Sequence, residues 1–247
     1  MIAPMVLAFG LLSKIPVPTI SAPTPRAYGL SILFYPLVGL VIGAVLATVA
    51  WSLEGVDAAL RGALVLVVWV WLTGGLHLDG LADVTDAWIG GMGSRERCLE
   101  ILKDPNCGPG AVVSVSLLLL VKFAALHALF ASDNGVWWLL FVPLFGRLAM
   151  MFMLLTSDYI RKSGMGYQMA CNIPQKPTWL VLAIFALIPS LFMANGEIPL
   201  LGVAIFLTLF RNKTQQQPGG ITGDFLGAGC ELSEAVYIVC LAILPLF

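Results

Sequence analysis

Long apolar runs separated by short polar stretches dominate the chain. Runs at about 30–53, 58–76, 110–130, 136–156 and 178–194 are candidate membrane spans, with two weaker ones at 198–210 and about 231–247. A span needs roughly 20 apolar residues to cross a hydrocarbon layer of about 30 Å, so the 198–210 run has to draw on its flanks. Met1–Leu12 is apolar but too short to cross, and Lys14, Pro16 and Pro18 stop it, which predicts a short interfacial or re-entrant helix. The pattern predicts an all-α, polytopic helical membrane protein with about seven transmembrane helices, within a range of six to eight. Helices follow because a spanning segment must satisfy its own backbone hydrogen bonds, and the short alternating strands of an outer-membrane barrel are missing.

Composition agrees. The 247 residues are 59% hydrophobic and 11% charged, with a mean hydropathy of +0.94. A soluble interior of this size cannot hide so much apolar surface. The formal net charge of −1 carries no signature of a nucleic-acid partner, and none is expected. The placement of charge says more. Lys14 and Arg26, then Arg95, Arg97 and Lys103, then Arg161, Lys162 and Lys176, then Arg211 and Lys213 fall in alternate connections. The other connections carry Glu54, Asp57, Asp133 and Glu197, with Arg61 as their one basic residue. The positive-inside rule puts the basic connections in the cytoplasm. The lipid bilayer is thus the first partner, and residues 1–247 read as one integral-membrane domain. The five cysteines show no metal or redox spacing and are expected to be reduced. No cleavable leader is expected, because the first dozen residues lack a basic leading region. Gly39 and Gly43 predict close helix packing.

The chemistry concentrates in two cytoplasmic-side segments, 73–110 and 214–231. Asp79, Asp83 and Asp86 stand at i, i+4 and i+7, one face of a helix, flanked by Gly74, Gly75 and Gly80. Three carboxylates in an apolar setting repel one another, and a bound hard cation is the simplest way to keep them charged. Oxygen-only ligands favour Mg2+ or Mn2+. Asp224 supplies a fourth ligand to the same site in this reading, and Glu231 a fifth acid that shares its helical face if the last helix begins early. Gly219, Gly220, Thr222 and Gly223 form a glycine-rich approach suited to a phosphate or to a tight turn. Lys103, beside Asp104 in a Gly/Pro-rich loop, is placed to neutralise a transferring phosphate. Arg147 and Lys122 lie inside apolar runs, where each needs a carboxylate partner or a bound phosphate. His77 is open as general base, metal ligand or helix-end residue. Solvated charges at a helix end, or the acids of a cation-coupled transporter, are the alternatives to a metal site.

The run Thr73-Gly-Gly-Leu-His-Leu-Asp79-Gly-Leu-Ala-Asp83-Val-Thr-Asp86 resembles the signature of the cobalamin synthase family, the adenosylcobinamide-GDP ribazoletransferases. Lys14-Ile-Pro-Val-Pro18, Tyr35-Pro-Leu-Val-Gly-Leu, Lys103-Asp104-Pro, Gly146-Arg147 and Gly219 through Glu231-Leu follow in the family's order. Position 106 departs from it: Asn106 stands where a basic residue is common. The resemblance implies a bacterial inner-membrane enzyme of late cobalamin assembly, its active site facing the cytoplasm. It implies transfer of adenosylcobinamide phosphate from its GDP-activated form to α-ribazole or α-ribazole 5′-phosphate, with release of GMP and a requirement for magnesium. On that reading Asp79, Asp83, Asp86 and Asp224 hold the metal, and one of these acids or His77 takes the proton. Lys103 and Arg147 face phosphate oxygens, while Asp104, Glu231 and the 219–223 segment contact substrate. The sequence leaves a homo-oligomer open. CDP-alcohol phosphotransferases are a rival, but Leu76 stands where their first aspartate belongs. Prenyltransferases need a second acid-rich motif, and only Asp224 and Glu231 are on offer.

Overall fold

The computed structural model describes residues 2–131, 135–192 and 196–244. Met1, Asp133, Ala194 and Phe247, which figure in the sequence reading, lie outside them. The described residues form helices α1 (Ile2–Leu12), α2 (Pro25–Ser31), α3 (Tyr35–Ser52), α4 (Ala58–Thr73), α5 (Leu76–Gly91) and α6 (Arg95–Ile101). These are followed by α7 (Pro109–Ala131), α8 (Val142–Thr156), α9 (Met165–Asn172), α10 (Gln175–Leu187), α11 (Glu197–Gln216) and α12 (Gly223–Ile243). Among the described residues no strand forms, and one parallel bridge joins Tyr159 to Ile221.

Local chemistry sets the helix ends. Asp57 caps α4 by accepting from the Ala59 and Leu60 N–H groups. Gly74 ends it in the left-handed region at φ 64°, and Gly75 follows at φ 69°. Two successive left-handed residues suit glycine alone, and they turn α5 by 87° from α4.

Among the described residues there are four to six candidate spans, against an expected six to eight. Residues 25–52, 109–131, 136–156 and 223–243 are long and apolar enough to cross a membrane. Two bent pairs, α4 with α5 and α9 with α10, raise the total to six if each is one span. The 178–194 run enters that total as half of a pair bent by 98°. The 198–210 run does not enter it: it lies in α11, which carries Arg211, Asn212, Lys213 and two glutamines in its last two turns. The last helix starts at Gly223 rather than near 231, so Asp224 and Glu231 share α12.

Helix α12 is the centre, packed against α5, α7, α8 and α11, while α3 lies on α8. The Gly39/Gly43 pair serves packing, as expected: a Cβ on Gly39 would lie 2.7 Å from Leu144 Cα, and one on Gly43 2.3 Å from the Leu140 carbonyl. Outward-facing Val67, Trp71, Leu120, Leu180 and Leu209 are exposed and form a lipid-facing surface. The five cysteines are free.

Candidate functional site

The acidic stripe is a helical face, as its spacing predicts. On α5, His77, Leu78, Leu81, Val84 and Ala87 are buried, while Asp79 is exposed and Asp83 and Asp86 are half-buried. Glycines bring α12 against this helix. A Cβ on Gly80 would lie 2.7 Å from the Asp224 carbonyl oxygen, and one on Gly227 3.2 Å from His77 Cα. Backbone therefore meets backbone where α5 crosses α12, and Asp224 arrives beside the stripe. Asp83 sits in the combined field of Asp79, Asp224, Asp86 and the Arg161 guanidinium.

The four proposed metal ligands do not share one role. Asp86 caps α7: the Gly108 N–H donates to Oδ2 (2.6 Å) and the Ala111 N–H to Oδ1 (2.9 Å). A helix N-terminus thus engages both oxygens, which gives Asp86 a capping role that Asp79, Asp83 and Asp224 do not have. Asp224 Oδ2 accepts from Thr222 Oγ1 (2.9 Å) and pairs with Arg161 Nη2 (3.0 Å). Arg161 Nη2 also donates to the Leu102 carbonyl (3.1 Å), which ties the end of α6 to the acidic face. Among the described residues, no three His, Cys, Asp or Glu side chains converge as a ready metal cage. Asp79, Asp83 and Asp224 still fit magnesium. That ion keeps several waters and is typically held by one or two carboxylates plus substrate phosphates. The donor set suits an ion that enters with a diphosphate.

The glycine-rich segment is a brace. The Gly219 and Gly220 N–H groups both donate to the Thr214 carbonyl (2.9 and 3.0 Å), so they are not free to cradle a phosphate. Their left-handed backbone, φ 91° and 151°, is what requires glycine. A Cβ on Gly220 would also strike Ile160 and the Asp158 carbonyl. Ile160 N–H donates to Ile221 O (2.9 Å), Ile221 N–H to Asp158 O (2.8 Å), and Trp88 Nε1 of α5 to Gln217 O (3.0 Å). These bonds hold the 214–223 segment against α5 and Arg161. Burial pushes the Tyr159 phenol above its ordinary range, with Asp224 adding to the effect and Arg161 opposing it. Tyr159 therefore stays protonated beside Gly223.

Lys103 is exposed just after α6. Asp104 Oδ1 accepts from the Asn106 N–H (3.0 Å) and Nδ2 (2.6 Å), which shapes the loop.

Arg147, Glu231 and His77 lie elsewhere. Arg147 is fully buried and pairs with Glu234 (2.5 Å). Lys122 joins Glu231 (2.6 Å) and Glu234 (2.7 Å) and stands over the Trp69 ring at 4.2 Å. This quartet is neutral and links α7, α8 and α12, so the expected phosphate role of Arg147 and substrate role of Glu231 give way to a buried ion-pair network. His77 is buried behind the acidic face, its Nδ1 3.8 Å from Cys230 Sγ. Sequence reading missed two participants. Glu234 was detectable, since two cations in apolar runs demand two anions and Glu231 is one. Arg161 carried no signal beyond the bias of its loop.

A family model described as cobalamin-5-phosphate synthase matches residues 4–242. A relative from Pseudomonas fluorescens is 44% identical over 241 residues, covering 97% of this chain and 99% of its own. One from Acinetobacter baumannii is 40% identical over 233 residues, covering 94% of each. One from Pseudomonas syringae pv. syringae is 44% identical over 242 residues, covering 98% and 99%. All three relatives are named adenosylcobinamide-GDP ribazoletransferase. No solved structure matches the chain.

Proposed function

The chain belongs to the cobalamin-5-phosphate synthase family, and we propose that its ribazole transfer runs on the open face of α5. The activity is that of an adenosylcobinamide-GDP ribazoletransferase, a transferase of late cobalamin synthesis. One substrate is adenosylcobinamide-GDP; the acceptor is α-ribazole 5′-phosphate or α-ribazole. A ribose hydroxyl oxygen bonds to the phosphorus on the cobinamide side of the diphosphate. The bond from that phosphorus to the bridging oxygen breaks, and GMP leaves with the electron pair.

The observation that carries this reading is the crossing at Gly80, which puts Asp224 and the Asp79/Asp83 stripe on one open face. Asp79, Asp83 and Asp224 would hold Mg2+ or Mn2+, whose charge, when bound, offsets that of the diphosphate and of the leaving GMP. Asp83 lies on that face within electrostatic reach of Asp79, Asp224 and Asp86. It takes the proton of the attacking hydroxyl at a carboxylate oxygen. Arg161 fixes Asp224 and faces phosphate oxygens, and exposed Lys103 adds positive charge from the adjoining loop. On this reading the face lies on the cytoplasmic side of a bacterial inner membrane, which the bias of basic residues toward its connections supports. The test is GMP release by purified protein in lipid nanodiscs given adenosylcobinamide-GDP, with and without α-ribazole 5′-phosphate. Release that ignores the acceptor would overturn the reading.

A further inference from the structure

Two cavities meet at Lys14. A polar one of about 500 Å3 lies between the segment after α1 and the α4–α5 turn, with Ser13, Lys14, Thr73, Gly75 and Asp79 on its walls. A largely apolar one of about 410 Å3 shares Ser13 and Lys14 with it and is lined by residues such as Val17, Tyr28 and Met169.

Lys14 is an anchored lysine. Its backbone N–H donates to the Leu72 carbonyl (2.7 Å). Its stem crosses Gly74 so closely that a Cβ there would lie 2.2 Å from Cε and 2.9 Å from Cγ. Among the described residues no carboxylate pairs with its ammonium group. Lys14 and Asp79 are the charged residues on the walls of the polar cavity. A cation and an acid so placed suit a ligand with an anion at one end and a reactive hydroxyl at the other. Pockets of about 300–1,000 Å3 hold ligands of nucleotide size. A corrin macrocycle with its diphosphate tail is far larger than either chamber.

We infer that the paired chambers are the acceptor site. The aromatic base lies in the apolar chamber and the ribose in the polar one. The 5′-phosphate sits on Lys14, and the ribose hydroxyl turns past Asp79 toward Asp83 on the same acidic stripe. The inference rests on the ribazoletransferase reading and adds the residue that reads the acceptor's phosphate.

The experiment compares kcat/KM for α-ribazole 5′-phosphate and α-ribazole in wild type, Lys14→Met and Lys14→Arg. Lys14→Met removes a charge-assisted hydrogen bond to the phosphate and lowers preference for the phosphorylated acceptor by at least about tenfold; Lys14→Arg restores most of it. Val17→Trp, which fills the apolar chamber, raises KM for both acceptors and not for adenosylcobinamide-GDP. Equal loss on both acceptors in Lys14→Met, or a rise in KM for adenosylcobinamide-GDP instead, overturns the assignment. If the wild type turns over neither acceptor, the ribazoletransferase reading itself fails. Calorimetry with α-ribazole 5′-phosphate then decides the site: binding that Lys14→Met abolishes supports it, and no binding to wild type refutes it.

Discussion

The carbonyl oxygen of Asp224 lies 2.7 Å from where a Cβ on Gly80 would stand. That approach lets the first turn of one helix deliver its carboxylate to the acidic face of another. Gly80→Ala should push α12 off α5 and lower kcat for GMP release by about tenfold or more, at an overpacking cost of about 1–3 kcal/mol. Gly62 is an internal control, because its nearest contact to an added Cβ is 3.4 Å. Gly62→Ala should leave kcat and thermal stability close to wild type. Turnover and melting of both variants in detergent check the contrast.

Asp86 and Asp83 should part company. Asp86 oxygens accept from the Gly108 and Ala111 N–H groups, so Asp86→Ala removes a helix cap worth about 0.5–2 kcal/mol. Its residual activity should keep the wild-type dependence on magnesium concentration. A large shift in that dependence would return Asp86 to the metal site.

The buried quartet makes a prediction about charge balance. Glu234 neutralises both Lys122 and Arg147, and removing one partner of such a network costs about 3–5 kcal/mol. Glu234→Gln should therefore unfold more readily than the double variant Lys122→Met with Glu231→Gln, which keeps the Arg147–Glu234 pair and overall neutrality. Thermal denaturation in the same detergent ranks the two, and the reverse order would argue against a closed neutral network.

The Asp79–Asp86 stripe was legible because carboxylates at helical spacing in an apolar chain have few other readings. The doublet Gly74-Gly75 reads only as a flank of that stripe, inside a run that counts as one span to residue 76, because the 87° break depends on two left-handed φ values that composition does not encode. Gly219 and Gly220 read equally well as a phosphate loop or as a turn. Only the destination of their N–H groups, the Thr214 carbonyl, decides for the turn. The pairing of Arg161 with Asp224 joins distant segments and leaves no trace in local spacing. The 178–194 run shows the limit of hydropathy: it measures apolar length, and a sharp bend before Gln175 is invisible to it.

Arg161 ties Asp224 to the end of α6 through Leu102. Arg161→Ala should raise KM for adenosylcobinamide-GDP and lower kcat, a combined loss in kcat/KM of about tenfold to a hundredfold for one charge-assisted phosphate contact. Steady-state assays varying each substrate in turn will check it. A change confined to the acceptor's KM would contradict the assignment.

The central claim is that carboxylates on α5 and at the start of α12 hold a hard cation and, with it, the diphosphate. The most direct measurement is a magnesium titration of GMP release by wild type and Asp83→Asn after chelator treatment. Wild type should be silent without metal and recover with Mg2+ or Mn2+, while Asp83→Asn, equally well folded, should lose about 100-fold or more at every metal concentration. Full turnover by Asp83→Asn, or metal-independent turnover by wild type, would contradict it.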